Sequence, residues 1–148
     1  MQSLNLPDQN LKIEEINSKK YIFDFTRKKN LILTPEEWVR QNIVSYLAND
    51  LNYPKGLIKT ESSIKYNNLK KRSDIIVRDR KMGFYLLVEC KSYKIKINKD
   101  FFKQVSIYNK IYKSRYIMIS NGMDHYVCEF FSKEKKYKFL KSIPVFTD

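Results

Sequence analysis

Phe84-Tyr85-Leu86-Leu87-Val88-Glu89-Cys90-Lys91 is the stretch on which the reading of this chain turns. The apolar run from Phe84 to Val88, preceded by Gly83 and closed by Glu89-Cys90-Lys91, has the length and composition of a strand. Successive side chains of a strand alternate faces, so Glu89 and Lys91 share one face about 6.6 Å apart while Cys90 points to the other. A second apolar stretch, upstream, opens at Asp74. Asp74 and Glu89 are suited to hold a hard divalent cation through carboxylate oxygens. Lys91 is suited to orient a metal-bound water or to stabilise charge on an attacked phosphate. Over these few residues alone, an exposed strand end carrying a Glu/Lys pair reads the same way, because an acidic-x-Lys match recurs by chance.

The surroundings give the motif a frame. Leu57 to Tyr66, Ser73 to Arg78 and Phe84 to Cys90 read as three strands of a meander, separated by polar or glycine-containing turns. Upstream, Thr34-Pro35-Glu36-Glu37 has the features of a helix start: a Thr cap, proline at the first helical position and two acids where the helix dipole favours them. The helix should reach about Asp50, with Val39, Ile43, Val44, Leu47 and Leu51 forming one apolar stripe. Downstream, Asp100 to Ser114 returns to helical spacing through Phe101, Val105, Tyr108, Ile111 and Tyr112. Tyr116 to Ser120 is β-rich and ends at Asn121-Gly122, so the helix should cross over to a parallel strand. Tyr126 to Leu140 suggests a closing hairpin with a basic turn at Lys133 to Lys136. Tyr21 to Phe25 alternates like a short strand, and residues 1 to 10 look like a loose arm.

Composition limits what such a frame can be. The 148 residues are one domain, 1–148, and at 43% hydrophobic and 30% charged it should fold. Twenty-nine Lys and Arg against 16 Asp and Glu leave +13, which favours a polyanion, nucleic acid first and a membrane surface second. No apolar stretch approaches a membrane span, and MQSLNLPDQN lacks the basic start and apolar middle of a signal peptide, so a cytoplasmic protein is expected. Cys90 and Cys128 sit in apolar stretches without metal-ligand spacing and read as buried thiols. His125, the single histidine, receives no role.

Taken in order, Tyr21-Ile22-Phe23-Asp24 with Arg27-Lys28-Lys29, then Leu33 to Gln41, Arg72 to Val77, Val88 to Lys91, Gln104, Tyr108-Asn109 and Ser120-Asn121-Gly122 carry a resemblance over nearly the whole chain. The chain resembles the PD-(D/E)xK nucleases, and within them the N-terminal nuclease domain of the motor subunit of type I restriction endonucleases, including its small stand-alone relatives. The resemblance implies an α/β, restriction-endonuclease-like core, a central mixed β-sheet flanked by two main helices. It also implies a Mg²⁺-dependent DNA phosphodiesterase, with Mn²⁺ as a substitute ion. In it, Asp74 and Glu89 would be the metal-binding carboxylates, the Cys90 carbonyl a further ligand, and Lys91 the group beside the attacking water. A Glu of the first helix would serve a second ion or its water. Glu36 and Glu37 both qualify: Glu36 lines up with Arg40, Ile43 and Leu47, and Glu37 with Arg40, Gln41 and Val44, with a slight lean to Glu36. At least one of the two is simply a helix-start charge.

Gln104 and Tyr108, four apart on the second helix, would position DNA or water, although Tyr108 equally suits core packing. Arg40 and Gln41 are either site polars or helix-surface groups, and Arg72 could contact a phosphate. Ser73 stands where the superfamily has proline, a change that leaves the Asp ligand in place. With only Gly56, Gly83 and Gly122, the chain holds no phosphate-binding glycine loop, so any translocation would come from another chain. Expected partners are DNA, with no membrane, and a second copy or separate motor and specificity subunits. The rival readings are a DNA-binding module that does not cut, and a scaffold subunit of a restriction or repair complex.

Overall fold

The computed structural model describes residues 1–66 and 69–148, and the side chains of all but 62–72. Strands β1 (Ile13–Ile16), β2 (Lys19–Asp24) and β3 (Lys29–Ile32) form a three-stranded antiparallel sheet ahead of helix α1 (Pro35–Asp50). Then follow β4 (Ile58–Tyr66), β5 (Leu69–Arg78), β6 (Phe84–Cys90), helix α2 (Lys99–Tyr112), β7 (Tyr116–Ser120), β8 (His125–Phe131) and β9 (Lys136–Leu140). These six strands lie in sequence order in one sheet. Every neighbour pair is antiparallel except β6 and β7, which run parallel across the α2 crossover. The expected mixed sheet with two main helices is therefore present. Of the first sheet only β2 is expected from sequence, because Ile13–Ile16 and Lys29–Ile32 are four residues each, largely exposed, and carry no apolar alternation.

Alternation sorts the large sheet into two faces. Ile75, Val77, Leu86, Val88 and Met118 join the cluster under α1, with Val39, Ile43, Val44 and Leu47. The intervening Ile76, Leu87, Ile117 and Ile119 join Val105 and Tyr112 under α2. Both faces are covered, which explains why β5 to β7 read as continuous apolar runs. Each fully buried aliphatic side chain contributes roughly 1.5–3 kcal/mol. Helix α1 begins as expected, with the Thr34 hydroxyl accepting the Glu37 N–H, a cap worth about 1 kcal/mol. Its buried residues include Arg40, Gln41, Asn42 and Ser45, so burial extends well beyond the apolar stripe. The first sheet contributes to this, since α1 contacts β2 as well as β5 and β6.

The first ten residues, expected as a loose arm, are tied down. Trp38 Nε1 donates to the Gln2 carbonyl at 2.8 Å, the Asn5 N–H donates to the Gly122 carbonyl at 2.9 Å, and Leu4 and Leu6 pack on the α1 core. Gly122 permits this approach: its φ is +85°, and a Cβ there would lie 2.8 Å from the Leu4 side chain.

Candidate active site

The β5–β6 ladder ends at Ile75 opposite Val88, and the site is built where the two strands part. Beyond that pair the Asp74 carboxylate takes over: its Oδ2 accepts the Cys90 backbone N–H at 2.8 Å. Its Oδ1 accepts from Arg40 Nη2 at 2.9 Å. The same guanidinium nitrogen lies 2.9 Å from Glu36 Oε1 and 2.7 Å from Glu61 Oε1, while Nη1 holds Glu37 Oε1 at 2.6 Å. Arg40 is only 4% exposed and its Nε has no hydrogen-bond partner. Glu36, Glu61 and Asp74 each present an oxygen within 4.8 Å of the others.

Glu61 was not anticipated from the sequence. Thr60 and Ser62 pair with Ile75 and Ser73, so Glu61 stands across from Asp74, and one step beyond Ile75–Val88 Asp74 stands across from Glu89. Glu61, Asp74 and Glu89 thus form a row over three strands, with Glu61 in the left-handed region at φ +50°. Only strand register reveals the row, because Glu61 in isolation is one polar residue in a mixed strand.

The first-helix doublet is divided by geometry. Glu36 joins Asp74 and Glu61, whereas Glu37 is buried, accepts from Gln41 Nε2 at 3.0 Å and lies 3.6 Å from Arg27 Nη2. Glu37, one of two candidates for the catalytic Glu, thereby becomes a support for Arg40. Arg40 and Gln41 turn inward as well. Gln41 is 1% exposed, so both side chains are buried within the site and not on the outer surface of the helix. Arg72 lies outside the described side chains.

On the α2 side, Lys91 Nζ is 3.3 Å from Glu89 Oε1 and 4.7 Å from the centre of the Phe101 ring, a cation–π contact. Its backbone N–H donates to the Ser120 carbonyl, which fixes the strand end against β7. Glu89 stands outside the acid trio, paired with Lys91. Gln104 is exposed on α2, and Tyr108 packs partly buried against the α2 core. His125 is structural, with Nδ1 2.7 Å from Ser120 Oγ and Nε2 2.9 Å from the Asn5 carbonyl oxygen.

The electrostatics show an excess of negative charge. Burial and the neighbouring Asp74 carboxylate raise the Glu36 pKa above the ordinary range, against the pull of Arg40 and Lys91. Burial pushes the Cys90 thiol well up, so it stays neutral, and only its backbone remains available to a cation. Cys128 is likewise a buried free thiol. Four acids, Glu36, Glu37, Glu61 and Asp74, surround one buried Arg40. Converging carboxylate oxygens with uncompensated charge are the donor set of a hard divalent cation, and Glu36, Glu61 and Asp74 fit one.

The sequence pattern of the type I restriction enzyme R protein N terminus matches residues 35–144, and the chain belongs to that family. In fold it is similar to a fragment of a type I restriction enzyme HsdR subunit from Vibrio vulnificus YJ016, with a TM-score of 0.54 and 17% identity. The match covers 76% of this chain and 24% of that one, so this chain spans about a quarter of its relative's length. Among curated proteins none matches. No helix among the described residues is long and apolar enough to cross a membrane.

Proposed function

We propose that this protein is a divalent-metal-dependent DNA phosphodiesterase, an endonuclease-like module of a restriction system acting in the cytoplasm. The observation that carries the reading is the gathering of Glu36, Glu61 and Asp74 on one guanidinium nitrogen at the strand end that also bears Glu89 and Lys91. Asp74, Glu89 and the Cys90 carbonyl would hold Mg²⁺, or Mn²⁺ in its place, with Glu36 serving a second ion or its water. Such an ion supplies Lewis acidity at the phosphate and eases ionisation of the attacking water. Lys91, steadied by Glu89 and Phe101, stabilises charge that builds on the phosphate oxygens. Gln104 and Tyr108 would position the substrate from α2.

A second reading, a binding or scaffold module that does not cut, is favoured by Arg40, which already occupies all three carboxylates. Family membership makes separate motor and specificity subunits, or a second copy, natural partners. The deciding experiment incubates duplex, branched and single-stranded DNA with the protein in Mg²⁺, Mn²⁺ or EDTA, alongside Asp74→Ala. Metal-dependent cleavage absent from the variant is expected. Binding without cleavage under every metal would establish the second reading.

A further inference from the structure

Beside the site, a cleft between α2 and the strands β7 to β9 holds two separate cavities. Its near end is a cavity of about 530 Å³ whose walls include Ile97, Phe102, Ile119, Tyr126 and Phe139. Asn98, Lys99 and Lys103 also line it, with no acid among the described residues. Phe139 is 60% exposed and Tyr126 45%, unusual for large rings on a well-packed sheet. Its far end is a cavity of about 800 Å³ whose lining includes Lys110, Lys113, Lys133 and Lys135, again with no acid among the described residues. A chain of rings joins the two: Phe139 to Phe102 at 5.3 Å, Phe102 to Tyr137 at 5.8 Å and Tyr137 to Phe130 at 4.9 Å between centres.

Register connects the cleft to the chemistry. Glu89 pairs with Ile119, and Ile119 pairs with Tyr126, so the candidate catalytic carboxylate, the floor of the cleft and one of its exposed rings form a row across β6, β7 and β8. Neighbouring strands are about 4.8 Å apart, which puts Tyr126 roughly 10 Å from the Glu89 strand. That is on the scale of one or two nucleotides of an extended strand.

We propose that this cleft carries a single DNA strand out of the active site, with unpaired bases stacking in the aromatic end and phosphates meeting the lysines beyond. The inference rests on the nuclease reading and narrows its substrate to DNA with an unpaired segment, such as a flap, a fork or a free strand. Two properties favour this occupant over an apolar peptide. Its lysines complement a strand that carries one negative charge per nucleotide, and its rings offer the sequence-tolerant faces on which bases stack. A duplex, whose bases face inward, would leave Phe139 and Tyr126 without partners.

The test measures binding in EDTA, so it does not depend on cleavage. Fluorescein-labelled single-stranded and duplex oligonucleotides of equal length are titrated with wild type, Phe139→Ala, Tyr126→Ala and the paired change Lys133→Glu, Lys135→Glu. Single strands should bind more tightly than duplex. Each ring truncation should weaken single-strand binding roughly 5- to 160-fold, as loss of one stacked base does, with duplex binding unmoved. Phe139→Trp should preserve affinity, and 2-aminopurine placed in the strand should be quenched by wild type and not by Phe139→Ala. The lysine pair should flatten the salt dependence. Tighter duplex binding, or indifference of both single-strand affinity and quenching to the ring changes, overturns the proposal and leaves the cleft to a protein partner. Absence of cleavage under any metal, with these binding results intact, would overturn the nuclease reading alone.

Discussion

Asp24, at the end of β2, and Asp74, in β5, are both strand carboxylates held by an arginine, yet their surroundings differ. Asp24 is fully buried, and both its oxygens are satisfied by Arg27 Nε at 2.8 Å, Thr60 Oγ1 at 2.6 Å and the hydroxyl and N–H of Thr26 at 2.8 Å. Burial alone would raise its pKa, but the hydrogen bonds from Thr60, Arg27 and Thr26 outweigh burial and hold it well below the ordinary range. It ties the small sheet to β4, and its charge is balanced. Asp74 shares one guanidinium with Glu36 and Glu61, and there the strain falls on Glu36, whose pKa goes up. A carboxylate with donors enough for its charge holds a fold together. Carboxylates that outnumber their donors are poised for a cation.

The contrast breaks first at the chemistry. Asp74→Ala should remove several kcal/mol of transition-state stabilisation, about a thousandfold in cleavage rate, while the melting temperature holds or rises as repulsion with Glu36 and Glu61 is relieved. A variant that still cleaves, or one that melts well below wild type, would make Asp74 a second Asp24. Conversely, Asp24→Ala strands Arg27 and the hydroxyls of buried Thr60 and half-buried Thr26, a loss of about 3–5 kcal/mol. Melting should fall by roughly 10 °C for a domain of this size, with cleavage per folded molecule unchanged. Calorimetry on both variants decides whether the two carboxylates differ in kind.

Arg40→Met sharpens the comparison from the cation's side. Without the guanidinium the acids repel one another, so the metal-free protein should lose about 3–5 kcal/mol. Mg²⁺ should then raise its melting temperature more than it raises that of wild type, since an ion binding only the folded state stabilises by mass action. An equal or smaller Mg²⁺ shift in the variant would mean that Arg40 and the metal do not compete for the same oxygens.

The smallest effect is in pH. Glu36 has a raised folded pKa, so the stability it contributes is present below its unfolded value near 4.5 and is lost as pH rises through the folded value. Comparing wild type with Glu36→Gln from about pH 4 to 7, wild type should lose ground with rising pH. Solvent screening of this half-exposed side chain limits the change to a few tenths of a kcal/mol. Asp24, whose pKa is depressed, acts oppositely: its contribution is present above its unfolded value of 3.8 and is lost as pH falls through the folded one. Melting curves showing both carboxylates with the same slope would remove the distinction between them.

Much of this was legible in the chain alone. Thr34-Pro35-Glu36-Glu37 set the start of α1, the apolar runs set β5, β6 and β7, and the helix between β6 and β7 required their parallel pairing, because all of these signals are local in sequence. Glu89-Cys90-Lys91 was visible for the same reason: the strand period fixes which neighbours share a face. Tertiary structure decided the rest. Whether Glu36 or Glu37 meets Asp74 depends on how α1 is rotated between two sheets, one of which has almost no sequence signature. Arg40 could be read from sequence as a site polar or as a helix-surface group, and only the four acids around it show that it is drawn inside. Glu61 joined the site through register alone. Register and helix rotation are settled by contacts between residues far apart in the chain, and neither leaves a mark in any short window of sequence.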